Sequence, residues 1–385
     1  MNRIPFRTIG IAGGGQLGLM LCDAARNMGL RTVVLDGNPA SPALARADAG
    51  IVAGLFDEEG LSALCRQADI VTFEIEHADT RVLASIAGDS GVRIAPAPGV
   101  LERIRDKGLQ RQALARHGVP QPRYALWDDP REAPPPGFPF PLVQKLRTGG
   151  YDGRGVAVLE RADAERLPGA SIVEERVDID VELAVIVARS ADPDTGALRQ
   201  MRSYRPVRMD FDAKLNILTR VVAPSGLSRE LEDRAVEIAE AAVTALGVVG
   251  VCAVELFCTG GGEMLVNELA PRPHNSGHLS IEAHATSQFE QHLRAVCGLP
   301  LGSTELLRPA VMVNILGGPN PGRAAGRGYE ELLSIPEAHL HWYDKSPCAP
   351  GRKMGHITCL GPTVETALQR AADAERLFSI DGLPD

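Results

Sequence analysis

Glu255 and Glu268 stand on either side of a glycine-rich turn in Val251–Leu279, VCAVELFCTGGGEMLVNELAPRPHNSGHL. With Val251–Cys258 and Glu263–Glu268 read as strands and Thr259–Gly262 as the hairpin loop, Cys258 faces Glu263, Glu255 faces Val266 and Ala253 faces Glu268. Side chains alternate along a strand, so the two glutamates become diagonal neighbours on one face, their roots roughly 7–8 Å apart. Two carboxylates can close that span around a divalent cation, and hard cations such as Mg2+ take oxygen ligands that they share with substrate phosphates. In this register Asn267 points to the other face. A solvated hairpin face is the plain alternative. The next residues weigh against it: Ala270–Gly277 puts Arg272, His274 and Asn275 between and beside two prolines that restrain the backbone. That is an anion-handling cluster beside a candidate metal pair.

Two glycine-rich loops must be positioned near this hairpin. The strand Arg7–Ala12 runs into Gly13-Gly-Gly-Gln16-Leu-Gly18, an apolar helical spacing from Leu17 to Met28 follows, and Thr32–Leu35 ends at Asp36. This matches the dinucleotide fingerprint, with Asp36 where a ribose hydroxyl would bind, although any phosphate at a helix N-terminus needs the same backbone room. The second loop, Arg147–Gly155 (RTGGYDGRG), joins strands Leu142–Leu146, which carries Lys145, and Val156–Leu159. Its glycines and its basic edges Arg147 and Arg154 suit a lid whose amides and guanidinia close over phosphates. It lacks the Lys-Ser/Thr ending of a P-loop.

The rest of the chain supplies scaffolding. Gly50–Ala53, Ile70–Phe73 and Val92–Ile94 alternate with the helical segments Glu58–Gln67 and Thr80–Ala87, which predicts an open parallel sheet over about 95 residues, an α/β unit with ligands beyond its carboxyl strand ends. Glu74 and Glu76 leave one such end with Gln16 and Asp36. Gly99–Arg116 is a charged helix containing Lys107, and the proline-crowded Asp129–Pro141 is a connection. Glu174-Glu175-Arg176-Val177 precedes a long strand, Val181–Ala188, with Glu182 near its start. Arg199–Asp210 is polar and basic, Arg229–Leu246 is amphipathic, and Ile281–Val296 is a further helix. Strands at Ala310–Leu316, His339–Tyr343 and Gly351–Leu360, a loop at Gly317–Gly328 and a last helix Val364–Ala374 form a small C-terminal domain bearing Lys345, Arg352 and Lys353.

At 385 residues the chain has room for two or three domains, and 44% hydrophobic with 23% charged residues is the composition of a globular protein. A formal net charge of −9 argues against nucleic acid or an anionic membrane as partner. The seven scattered cysteines read as small core residues in a reducing compartment. No apolar run reaches the roughly 18 residues of a membrane helix, and the N-terminus lacks a signal peptide's apolar stretch, so the expected location is cytoplasmic.

GGGQLG, VTFEIE, RTGGYDGRG, NELAPRPHNSGH followed by TSQFEQHLRAVCGLPLG, and GRKMGH occur in this order from about Ile9 to Gly361. Together they resemble the N5-carboxyaminoimidazole ribonucleotide synthetase family of ATP-grasp enzymes. The resemblance implies an N-terminal doubly wound pre-ATP-grasp domain (1–98), an ATP-grasp domain (99–302, lid about 118–177) and a small, mainly β C-terminal domain (303–385), α/β and α+β overall. It implies that ATP phosphorylates bicarbonate to carboxyphosphate, whose carboxyl carbon passes to the 5-amino group of aminoimidazole ribonucleotide. It assigns ATP to Lys107, Lys145, Gly150, Tyr151, Asp152, Gly153, Arg154, Gly155, Glu174, Glu175, Arg176, Val177, Glu182, Asn267 and Glu268. Mg2+ falls to Glu255 and Glu268, and bicarbonate and carboxyphosphate chemistry to Arg272, His274 and Lys353. The ribonucleotide falls to Gln16, Asp36, Glu74, Tyr151, Asp152, Lys345 and Arg352. A homodimer, and hand-over of the product to the mutase that uses it, are also implied. Two segments depart from the family pattern: Ser203–Arg208 has no counterpart of the usual Glu-Asn-x-His histidine, with Arg208 as the substitute cation, and Val156 replaces a glutamine after the lid glycine. An ATP-grasp ligase with another acceptor, a nucleotide-binding paralogue without turnover, and an NAD-dependent oxidoreductase are the competing readings.

Overall fold

The structure, a computed structural model, describes residues 7–150, 155–192, 195–212 and 217–383. The N-terminal strands form a parallel sheet in the order Ala49–Val52, Arg31–Asp36, Thr8–Ala12, Ile70–Phe73, Arg93–Ile94. Strand order reverses at Thr8–Ala12, so a crevice opens beyond its carboxyl end, between the Gly13–Gly15 turn and Glu74. Close approach requires the glycines there. A Cβ on Gly13, whose φ is +106°, would lie 3.0 Å from Glu74 Cβ, and one on Gly14 would lie 2.8 Å from Asp36 Cβ.

A nine-stranded sheet forms the centre. Its path runs Met264–Ala270, Gly250–Thr259, Ile179–Ala191, Val207–Asp212, Ile217–Ala223, Ala310–Leu316, Lys353–Leu360, Ala338–Trp342, with Leu198–Ser203 paired to Ile179–Ala191 at the side. The C-terminal strands Ala310–Leu316, Lys353–Leu360 and Ala338–Trp342 are therefore not a separate sheet. They extend the central one, because Ala310–Leu316 pairs with Ile217–Ala223 from Arg220↔Val313 to Ala223↔Ala310.

Alternation along these strands divides core from site. Leu183, Val185, Val187, Cys252, Val254, Leu256 and Cys258 turn to one face, where the Arg229–Leu246 helix covers them with Ala235, Ile238, Ala242 and Leu246. That helix begins at Ser228, whose side chain accepts from Leu231 N, and ends at left-handed Gly247. Glu182 and Glu255 turn to the opposite face. All seven cysteines are buried and unpaired. A four-stranded sheet, Tyr124–Trp127, Ser171–Glu175, Leu142–Leu146, Val156–Leu159, carries the second glycine loop at the Lys145↔Val156 end of its hairpin.

Two expected helices are each broken. Pro98–Arg105 and Lys107–Arg116 are separated by Asp106, whose carboxylate accepts from Gly108 N and Leu109 N and so starts a new helix at Lys107. Ser280–Ala283 and Gln288–Val296 are separated likewise, the second capped by Ser287. The Gly317–Gly328 loop contains a strand, Arg323–Arg327, paired with Ser379–Leu383.

The N-terminal sheet docks on the central one through Leu17, Met20 and Leu21 against Phe289, Leu293 and Val296. Inside this seam His292 accepts from Val251 N at Nδ1 (3.0 Å), which leaves Nε2 protonated and donating to Thr72 Oγ1 (2.7 Å). Burial pushes this imidazole down to about 3, so it stays neutral. Because the unfolded chain takes up the proton first, stability tied to His292 is lost as pH falls from about 6.5 towards 3. His292→Leu is expected to cost about 1–3 kcal/mol through the orphaned Val251 N–H alone, measured by urea unfolding at neutral pH.

Candidate active site

The hairpin register differs from the expected one. Cys258 faces Met264, and Glu255 faces Glu268 directly, with a bulge between Glu255 and Leu256 that leaves Asn267 as the extra residue. A bulge re-aims the side chain it displaces. Asn267 therefore turns inward rather than to the far face: its amide donates to Glu255 Oε2 (3.3 Å) and its carbonyl oxygen accepts from Lys145 Nζ (2.9 Å).

Arg111 fixes the bulge, and the sequence reading missed it. Its guanidinium donates to Val266 O and Asn267 O, both at 2.7 Å, and to Glu174 Oε1. The available signal was its place four residues after Lys107, on the same helical face. Lys107 Nζ pairs with Glu268, and Lys145 Nζ with Glu174 Oε2 at 2.8 Å. Glu174, 2% exposed, gives one oxygen to Arg111 and the other to Lys145, so its side chain holds these two cations. Burial pushes Lys145 down, with Glu174 opposing.

The two facing glutamates are unlike. Burial, then the charges of Glu268 and Glu182, push Glu255 up to about 8, while Lys107 holds Glu268 far below the usual range. Burial also raises Glu182, against Lys145. His274 Nε2 lies 3.5 Å from Glu255 Oε1, and its Nδ1 meets Ser276 Oγ at 2.9 Å. Gln288 brackets the His274 peptide, accepting from its N–H (2.9 Å) and donating to its carbonyl (2.7 Å). Arg272 Nε donates to Glu76 Oε2 at 2.6 Å. Lys353 begins its strand close enough to Glu255 to act on it electrostatically, and Lys345 donates to Lys353 O.

The crevice of the N-terminal sheet faces the same space. Glu74 accepts from the amides of Gly15 and Leu17 at the start of the Gln16–Asn27 helix and lies within electrostatic reach of Arg272 and Lys345; burial dominates and raises it. Asp36 accepts from Gly14 N (2.7 Å), Asn38 N (2.8 Å) and Ser41 Oγ (2.7 Å). It therefore pins the glycine turn, where the dinucleotide reading had it holding a ribose.

Other expected groups have partners outside this cluster. Arg147 is held by Asp106 and Asp128 beneath the lid. Glu175 pairs with exposed Arg123 and Arg176 with exposed Glu160, while Val177 is half-buried beyond the lid strand. Arg352 donates to Pro347 O. Arg208 pairs with Asp210 and stands opposite Leu183, on the face turned away from Glu182 and Glu255, so it is no substitute for the missing histidine. Val156 is exposed on the outer lid strand. Gly150 and Gly155 flank the lid tip, and Tyr151, Asp152, Gly153 and Arg154 lie outside the described residues.

Three family patterns match the chain in this order: the ribonucleotide synthetase preATP-grasp domain over residues 6–105, the ATP-grasp domain over 112–289, and the phosphoribosylaminoimidazole carboxylase C-terminal domain over 310–370. An N5-carboxyaminoimidazole ribonucleotide synthase from Synechococcus elongatus is 38% identical over 391 aligned positions, covering 98% of this chain and 96% of the relative. The chain belongs to the N5-carboxyaminoimidazole ribonucleotide synthase family. A crystal structure of the family from Thermotoga maritima superposes with a TM-score of 0.87 at 42% identity, over 98% of this chain and 100% of that one. Another, from Aspergillus clavatus in complex with ADP and 5-aminoimidazole ribonucleotide, gives 0.85 at 32% identity, over 97% and 100%. Family membership makes the chain an ATP-grasp ligase and removes the oxidoreductase reading. Among the described residues no helix is long and apolar enough to cross a membrane.

The raised Glu255 has a measurable consequence. Its folded state holds a proton that the unfolded chain releases near 4.5, so its contribution to stability is full below 4.5 and is lost as pH rises towards about 8. Glu255→Gln is expected to lack this loss: its melting temperature should rise relative to wild type between pH 6 and pH 8.5, read by scanning calorimetry without added metal.

Proposed function

We propose that the chain couples ATP cleavage to carboxylation of the 5-amino group of 5-aminoimidazole ribonucleotide, giving the N5-carboxy product, ADP and phosphate. The observation that carries this is the bulge-set pair Glu255 and Glu268, surrounded by Lys107, Lys145, Arg272 and His274. Lys107 and Lys145 bind the ATP phosphates, held by Glu268 and Glu174 until nucleotide arrives. The lid from Gly150 to Gly155 covers them. Glu182 and Asn267 complete the nucleotide side.

Bicarbonate oxygen attacks the γ-phosphorus, ADP leaves, and carboxyphosphate forms. Its collapse to CO2 and phosphate, followed by attack of the amine nitrogen on CO2 and loss of an N–H proton, gives the carbamate. Arg272, His274 and Lys353 hold the anions through these steps. Gln16, Asp36, Glu74, Lys345 and Arg352, with Tyr151 and Asp152, hold the ribonucleotide. Water destroys carboxyphosphate, so lid closure protects the intermediate.

The acid pair fits Mg2+. Its donors are hard oxygens, and burial, then the charges of Glu268 and Glu182, makes Glu255 keep a proton that a bound cation would replace. Among the described residues no three His, Cys, Asp or Glu side chains are grouped to hold a metal, so substrate oxygens would complete the shell. When bound, Mg2+ supplies charge neutralisation to the phosphates. The proposal includes domain limits at 98/99 and 302/303, a homodimer, a cytoplasmic location and hand-over of the product to the mutase that uses it, expectations that rest on the family.

Phosphate release from MgATP is expected to require both bicarbonate and the ribonucleotide, matched by labelled bicarbonate entering an acid-labile product. Release that ignores the ribonucleotide would point to a different acceptor. Glu268→Gln should lower kcat by about 10²-fold or more, in the range for losing one electrostatic contact to the transition state, with the melting temperature retained.

A further inference from the structure

Glu76 belongs to no substrate contact proposed above, yet its carboxylate pairs with Arg272 and comes from the other sheet. Both side chains are mostly buried, at 18% and 19% exposure, and the Nε–Oε2 distance is 2.6 Å. Burial would raise Glu76, but the Arg272 guanidinium beside it holds it below the usual carboxylate range, so the pair is ionic. A bond at Nε, unlike one at a terminal nitrogen, fixes the rotation of the guanidinium plane and therefore the direction of its fork.

The mount beneath Glu76 is rigid. Glu74 N donates to Ala12 O (2.9 Å) at one end of the loop. At the other, the Asp79 carboxylate caps the Thr80–Ser90 helix through Arg81 N and Val82 N, and Arg105 donates to Ala78 O. Arg272 itself sits on a proline-flanked segment whose next turn is bracketed by Gln288. Two stiff loops from different sheets thus meet at one charge-assisted hydrogen bond. Glu74, two residues earlier in the same loop, also acts electrostatically on Arg272.

We infer that Glu76 is a positioning residue: it aims the Arg272 guanidinium at the bicarbonate site and makes that aim depend on the N-terminal sheet that holds the ribonucleotide. The inference rests on the function proposed above. Glu76→Gln keeps the shape and removes the charge; Glu76→Asp keeps the charge at shorter reach.

In Glu76→Gln, kcat/KM for bicarbonate should fall roughly tenfold, the scale of one weakened charge-assisted hydrogen bond, while KM for ATP and the melting temperature stay near wild type. Glu76→Asp should recover part of the loss. Equal losses towards bicarbonate and ATP, or no loss towards either, would overturn the inference. If wild type itself shows no ribonucleotide-dependent turnover, the functional proposal fails, and NMR of the arginine Nε–H groups decides the contact separately. An Arg272 Nε–H signal that moves and exchanges faster in Glu76→Gln supports the positioning, and one that is unchanged refutes it.

Discussion

The inserted Asn267 governs the site. With the observed turn, a ladder without the bulge would set Asn267 opposite Glu255 and Glu268 opposite Val254, on the far face. With it, the two carboxylates stand face to face and the amide lies between them and Lys145. Bulges leave backbone groups unpaired, and Arg111 satisfies the carbonyls of Val266 and Asn267. Arg111 is itself buried, which is tolerable only because Glu174 neutralises it. The geometry of the acid pair therefore depends on a buried ion network one layer below it.

Charge balance extends through that network. Arg111, Lys107 and Lys145 alternate with Glu174 and Glu268, so the lysines are preset near the place where phosphates would lie and are paired until then. Glu255 meets the Asn267 amide and the His274 ring instead, and burial, then the like charges beside it, makes it hold its proton. One strand pair thus offers one carboxylate stabilised as an anion and one that is not, from identical side chains in different surroundings.

Much of the fold follows from local pattern. The Arg229–Leu246 helix and the Ala310–Leu316 strand lie where apolar spacing puts them, and Cys252 and Cys258 share a core face as their even separation implies. Patterning failed where a single polar residue interrupts an apolar period. Asp106 divides one expected helix, and the capped turn at Ser287 divides another. Cap geometry is cheap to form and leaves little trace in hydrophobic spacing.

The sequence by itself determined many of the element types, the three-part order along the chain, and the residue types from which a phosphate and carboxylate site would be built, because these follow from spacing, turn chemistry and motif order. Only the tertiary structure decided which of those residues meet. Register within a hairpin shifts with one inserted residue, and the partner of a buried charge is set by elements distant in sequence, as Arg111 with Glu174 and Glu76 with Arg272 demonstrate. Alternation likewise assigned Arg208 to the wrong face for the nucleotide only once its partner, Leu183, was known. Local pattern carries no information about a contact between chain segments until the fold has brought them together.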